Sequence, residues 1–209
     1  MNIHDNPYDN QYKRNRSRDP FPKLYLEYDI KDHNGRILRK GRRRRANSFV
    51  GNIIGLLSSI SVTTGSTSVY YSLYPDEIRD INNASRNIGM ASGISAAASA
   101  GGHTSGIRVG TGTAPVTIDQ FNLASPIVHG TGTGQLLYAD TLVEGIARSA
   151  TTWLFRVIRP FSNSSGATVT INEVGLFFVN VMLARDLTGG IPVPNGATIT
   201  FRYIISLSI

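Results

Sequence analysis

The alternation of apolar and polar residues at the end of the chain limits most strongly what it can fold into. From residue 198 every second residue is large and apolar: Ile199, Phe201, Tyr203, Ile205, Leu207 and Ile209. Side chains along a β-strand point alternately to its two faces, so this period predicts a strand with one face in a core. A second alternating run covers residues 23–30, and Asn34-Gly35 after it is a strong hairpin signal.

Between these two runs the sequence predicts further short strands separated by turns. The strand candidates are residues 69–74, 107–109, 135–143, 151–159, 167–171 and 176–183. Helical signals are few: the spacing predicts a helix over 48–60, a short helix over 76–84 and a single helical turn after Thr117. Residues 89–106 are nearly all Gly, Ala and Ser, which predicts a long surface loop.

These patterns predict a mainly β protein. The expected fold is an antiparallel β-sandwich or open barrel with one or two short helices and an extended basic N-terminal arm. Residues 1–22 form the predicted arm, because they are rich in Asn, Asp, Arg and Pro and have few apolar anchors. Residues 23–45 form a predicted basic β-hairpin, and residues 46–209 form the body, with its small-residue loop at 89–106.

The positive charge of the chain is confined to its N-terminal part. The formal net charge is +7, and residues 1–45 hold 13 basic and 6 acidic residues, whereas residues 46–209 hold 8 of each. The body is therefore electrically balanced and gains no solubility from the basic excess. This balance favours a contact role for the N-terminal segment over a general role in solubility.

Two basic clusters are the candidate contact sites. Four consecutive arginines repel one another, so they indicate either a solvated stretch or an acidic partner. Nucleic-acid phosphate, an acidic protein surface and a charge run that only aids solubility all stay open. No aromatic residue lies among residues 39–45, so base stacking is not indicated. The candidate residues are Arg14, Arg16, Arg18, Arg39, Lys40, Arg42, Arg43, Arg44 and Arg45.

Residue patterns that carry catalysis or hold cofactors are absent from the sequence. The chain has no cysteine, and its four histidines are scattered without metal-binding spacing. The glycine-threonine loops at 110–113 and 130–134 lack a Walker lysine, since no lysine follows Lys40. Ser95 lacks the second glycine of a nucleophile elbow, and no apolar run is long enough for a transmembrane helix. We therefore expect no enzymatic activity, no cofactor, no metal and no membrane partner.

Two parts of the chain resemble virion structural proteins of tailed bacteriophages. The first runs from Ile107 to Ile127 and includes Gly-Thr-Gly-Thr-Ala-Pro. The second is a C-terminal block with Asn-Glu-Val-Gly-Leu-Phe-Phe at 172–178, Leu-Ala-Arg-Asp-Leu at 183–187 and Ile-Pro-Val-Pro-Asn-Gly-Ala-Thr-Ile-Thr-Phe at 191–201. Ser-Phe-Val-Gly-Asn at 48–52, after the basic hairpin, also resembles the N-terminal part of such proteins.

The resemblance implies a non-enzymatic structural component of a phage head, neck or tail, assembled in the host cytoplasm and located in the virion. Such a component would form a homo-oligomer and contact other virion proteins, with its basic arm clamping neighbouring subunits. Two alternatives stay open. The Arg-rich segment would make non-specific contact with DNA, or the β-sandwich would serve as a receptor-binding or carbohydrate-binding tail tip.

Overall fold

The protein is built from antiparallel β-strands, as the sequence predicts. The computed structural model describes residues 23–46, 49, 52, 79–84, 95–148 and 152–208. The strands of this part of the chain are β1 (Lys23–Lys31), β2 (Ile37–Ala46), β3 (Gly106–Gly110), β4 (Leu137–Tyr138), β5 (Leu142–Arg148), β6 (Thr152–Ser162), β7 (Val169–Phe178), β8 (Val181–Val193) and β9 (Thr198–Ser208). The predicted arm, the predicted strand over 69–74 and, apart from Phe49 and Asn52, the predicted helix over 48–60 lie outside the described residues.

The strands form two sheets with a shared core. The large sheet has the order β2-β1-β9-β6-β4, with β5 pairing with β6 beside β4, and the small sheet has the order β3-β7-β8. Core side chains come from both sheets: Leu24, Leu26, Val157, Phe161, Ile199 and Phe201 from the large one, and Ile107, Val109, Val174, Leu176, Ala184 and Ile191 from the small one. The hydroxyl of the fully buried Tyr203 lies between two acceptors of the small sheet, the Val174 carbonyl at 3.1 Å and the Asp186 carboxylate at 3.0 Å, and so joins the two layers.

The basic hairpin is confirmed, and it is continuous with the body. β1 lies between β2 and β9 and pairs with β9 along its whole length, from Lys23 opposite Ser206 to Lys31 opposite Thr198. The turn is fixed by Asp32, whose carboxylate accepts hydrogen bonds from the backbone N–H groups of residues 34 and 36 at 3.0 and 2.9 Å. Because β1 is an inner strand, the hairpin belongs to the folded core of the large sheet.

Two of the predicted strands have different limits in the structure. The strand predicted over 135–143 is broken into β4 and β5. Opposite this break lies Pro160 of β6, whose carbonyl accepts from the Ala139 N–H at 3.1 Å. A proline has no N–H to donate to a neighbouring strand. The break between β4 and β5 therefore lies where β6 could not complete the hydrogen-bond ladder. The strand predicted over 176–183 is wrong, because Val179 and Asn180 turn the chain with φ of 45° and 67°. The apolar run of the sequence continues across this turn, so the pattern does not indicate that one strand ends and another begins there.

The short helix predicted over 76–84 is not present in its described part, residues 79–84. Residues 79–84 form a turn closed by Asp80: its N–H donates to the Ala84 carbonyl at 3.0 Å, and its carboxylate accepts from the Asn82 and Ala84 N–H groups. This side chain competes with the helix for the backbone, as Asp does in turns. At Thr117, where the sequence predicts a single helical turn, the structure has one hydrogen-bonded turn, with the Gln120 N–H at 3.4 Å from the Thr117 carbonyl.

Candidate functional site

The predicted contact residues within the described part of the chain all lie on β2. Among the described residues β2 pairs only with β1, so it forms one edge of the large sheet. The side chains of Arg39, Lys40, Arg42 and Arg45 are exposed there. Arg43 also belongs to this strand, whereas Arg14, Arg16 and Arg18 lie outside the described residues. We call Arg39, Lys40, Arg42 and Arg45 the basic edge.

Arg44 has a structural role that the sequence did not indicate. Its Nη2 donates to the Leu187 carbonyl on β8 at 2.6 Å, so it links β2 to the small sheet. Gly41 on the same strand lies under the Tyr28 ring, which would overlap any Cβ at this position. Arg44 is therefore used within the fold, although its side chain is exposed like those of Arg42 and Arg45.

Two β-bulges shape the basic edge. The register between β1 and β2 shifts between Leu26 and Tyr28 and again between Ile30 and Lys31, with an extra β2 residue each time. Bulges and positive charge are the usual protection of an edge strand against pairing with another strand. The basic edge therefore offers side chains to a partner and not a backbone ladder.

Among the described residues, the charged side chain with the largest number of hydrogen bonds is Arg159 on β6. It is fully buried, and its guanidinium lies 4.9 Å from the Tyr138 ring centroid. Its nitrogens donate to five backbone carbonyls: Ala139 (2.9 Å), Ser105 (3.4 Å), Ile107 (3.1 Å), Ser99 (3.2 Å) and Gly102 (2.7 Å). A guanidinium has five N–H groups, so the hydrogen-bonding capacity of Arg159 is filled by the backbone.

Arg159 holds the small-residue loop to the sandwich. The described part of that loop, residues 95–105, is irregular, and its carbonyls at 99, 102 and 105 point to the guanidinium. Burial lowers the pKa of Arg159 to about 10, which leaves the side chain protonated at neutral pH. The sequence analysis does not single out Arg159, because its partners are backbone carbonyls that no local pattern encodes.

A second buried charge cluster lies on the outer face of the small sheet. Glu173 on β7 and Arg185 on β8 are fully buried, and their side chains meet with 2.6 Å between Glu173 Oε2 and Arg185 Nε. The Glu173 carboxylate also accepts three backbone N–H groups: Gly112 (3.0 Å), Ala124 (3.0 Å) and Ser125 (2.8 Å). Burial alone would raise the pKa of Glu173, but these hydrogen bonds and the Arg185 charge together hold it below its ordinary value.

Residues 111–125 form a strap over this face of the small sheet. Leu123 packs with Phe177, Met182 and Ile81 in a small apolar cluster separate from the main core. Arg185 Nη1 lies 3.0 Å from the Gln120 side-chain oxygen, which holds the middle of the strap. The cluster of Glu173 and Arg185 therefore determines the path of an otherwise irregular segment.

Three segments that are distant in sequence meet at this strap. Gly112 and Arg185 both contact Glu173, so residues 107–127, 172–178 and 183–187 are joined at one carboxylate. Asp186, next in sequence, accepts a hydrogen bond from the Tyr203 hydroxyl at 3.0 Å inside the core. What the sequence shows as scattered motifs is therefore one structural unit.

Gly112 is the most sensitive position of the strap. A Cβ at this residue would lie 2.5 Å from Glu173 Oε1 and 2.7 Å from the Ala124 Cβ, closer than non-bonded atoms tolerate. We expect Gly112→Ala to lower the free energy of unfolding by about 2 kcal/mol, measured by urea denaturation. Gly145→Ala is the control, because nothing lies within 4 Å of its added Cβ, and it should be neutral or stabilising. Equal effects of the two substitutions would contradict the geometry.

The described residues contain no group of three or more His, Asp or Glu side chains that could hold a metal ion. Within the same ranges no helix has the length and apolar character needed to cross a membrane. In comparisons with known proteins, no family model, no curated protein and no solved structure matches the chain.

Proposed function

We propose that the protein is a non-enzymatic structural component of a tailed phage particle, which forms a homo-oligomer and contacts its neighbours through the N-terminal basic segment. The observation that carries this proposal is the basic edge, a row of exposed cations on an edge strand. The body of the protein, residues 46–209, has no excess charge. A concentrated charge on a neutral body favours contact with a partner of opposite charge.

The use of the buried charges supports a scaffold role. Arg159 and Glu173 use their hydrogen-bonding groups on the backbone of the same chain. A catalytic acid or base needs a free atom directed at a substrate, whereas these atoms fix loops in place. The two clusters give long irregular segments one defined conformation, which a subunit with many neighbours requires.

The partner that best fits the basic edge is an acidic protein surface. One of the two bulges lies within the basic edge, at residues 42–43, and Arg44 joins the strand to the small sheet. The backbone that carries these charges is therefore fixed, and docking on a preformed protein surface has only the side chains to order. DNA phosphate is the second candidate, because four exposed cations on one strand also suit non-specific binding.

The proposal is tested by the solution mass of the nuclease-treated protein, determined by size-exclusion chromatography with light scattering. We expect a discrete oligomer whose mass falls in the triple variant Lys40→Gln/Arg42→Gln/Arg45→Gln and in a chain that lacks residues 1–22. Both changes leave β1 in place. Lys31→Gln is the matched control, because this exposed lysine lies on the same hairpin outside the basic edge.

Two results would contradict the proposal. The first is a full-length chain that stays monomeric at high concentration and is absent from purified particles. The second is a steep loss of DNA affinity with salt that the triple variant removes, while the solution mass is unchanged. That result would favour the DNA-contacting function.

A further inference from the structure

The large sheet has a second edge, formed by β4 and β5, and only part of it is covered. Residues 95–102 run beside β4: the Gly101 N–H donates to the Tyr138 carbonyl at 2.9 Å, and the Thr141 N–H donates to the Ala98 carbonyl at 2.7 Å. These bonds satisfy the backbone of the edge as far as Thr141. β5 begins at the next residue.

Beyond Thr141 the covering segment turns away from the edge. The Ala97 N–H donates to the Ser95 hydroxyl at 3.0 Å, and Ala96 packs into the core instead of continuing along β5. No described residue pairs with the outer side of β5. Leu142 and Val143 at its start are 53% and 45% exposed, and the space beside Gly145 is open.

The two edges of the large sheet differ in charge. The basic edge has four exposed cations and two bulges, so two copies of it repel each other. On β5 the one acidic residue is Glu144, which is paired with Arg156 at 2.7 Å. A bulge at Ile146 leaves residues 142–145 as the regular part of the edge. The pairing of Glu144 with Arg156 leaves this short stretch without net charge, and the bulge and Arg148 lie beyond it. Residues 142–145 therefore lack the row of cations seen on β2.

We propose that β5 pairs with β5 of a second copy of this chain, antiparallel about a two-fold axis. A two-fold contact uses the same strand in both subunits, and antiparallel pairing satisfies both unpaired backbones at once. Charge selects this occupant, since an arginine-bearing β2 edge cannot pair with itself and its bulges oppose pairing with β5. The inference rests on the proposed homo-oligomer and names one of its contacts.

The test uses the full-length protein and Leu142→Lys. Leu142 is exposed, so the substitution leaves the core intact while placing a charge on the edge in both copies. We expect the solution mass to fall at least twofold, and those amides of residues 142–145 that point away from β6 to exchange with deuterium at the rate of an open edge. Ile118→Lys is the matched control, because Ile118 is 67% exposed on the strap and away from β5.

Each outcome bears on one proposal or both. If Leu142→Lys leaves the mass unchanged while the triple variant of the basic edge lowers it, the β5 contact is wrong and the homo-oligomer proposal stands. If the amides of residues 142–145 that point away from β6 exchange slowly in dilute monomer, a segment of the same chain covers β5 and the contact is wrong. If the unsubstituted chain is monomeric with an open β5 edge at all concentrations, both proposals fail.

Discussion

Replacing Arg159 with lysine is expected to lower the free energy of unfolding by about 4 kcal/mol. Lysine keeps the charge but has three N–H donors on one nitrogen, whereas the five carbonyls around Arg159 receive bonds from three separate nitrogens. At least two buried carbonyls would lose their partner, at about 1–3 kcal/mol each. Urea denaturation at neutral pH measures the change.

The matched control is Arg156→Lys, which lies three residues earlier on the same strand. Its partner Glu144 is half-buried, and such pairs contribute about 1 kcal/mol or less. Hydrogen exchange gives a second readout. In Arg159→Lys the Gly101 and Thr141 amides should lose protection first, because their bonds join the small-residue loop to the sheet edge. If the two substitutions destabilise equally, Arg159 does not organise the loop.

The sequence predicts the strands whose two faces differ in environment. In β9, Ile199, Phe201 and Tyr203 all face the core, as their alternation indicates. The hairpin at Asn34-Gly35 was also predictable, because this dipeptide favours turns that need a positive φ. Gly35 has a φ of 79° in the structure. Where the environment does not alternate, the pattern fails. The apolar run through Val179 continues without a break across a turn, because both strands beside it are buried.

The candidate site was predictable only in its exposed part. A run of like charges identifies an exposed strand whatever the fold, and so the basic edge was found. Arg159, Glu173 and Arg185 were missed, because their partners lie 12 to 70 residues away in sequence and most of them are backbone groups. No local pattern encodes such a partner. The one available signal was a charged residue at an inward position of an apolar strand, as Arg159 is between Val157 and Phe161.

Replacing Glu173 with glutamine is expected to destabilise the protein by about 3–5 kcal/mol at neutral pH, with almost no change in side-chain volume. The substitution leaves Arg185 buried without its counter-charge, and its Nη2 already lacks a hydrogen-bond partner. The amide nitrogen would also face N–H donors where a carboxylate oxygen now accepts them. Urea denaturation measures the loss, and faster proteolysis within residues 111–125 would locate it in the strap.

The effect of Glu173→Gln should depend on pH. The pKa of Glu173 is held below its ordinary value of 4.5 in the folded protein, so its contribution is complete above about pH 4.5 and is lost as the pH falls through the folded value. The stability difference between the two proteins should therefore be constant at neutral pH and shrink in acid. Asp32 also has a lowered pKa, but it is present in both proteins and cancels in the difference.

Glu144→Gln is the control for this titration, since Glu144 is half-exposed and paired with an arginine at a similar distance. It should cost about 1 kcal/mol or less. A Glu173→Gln protein whose deficit is the same at pH 3 and pH 7 would show that the carboxylate charge does not hold the strap. A deficit that shrinks in acid would show that the charge of one buried carboxylate holds together three stretches of the chain that are far apart in the sequence.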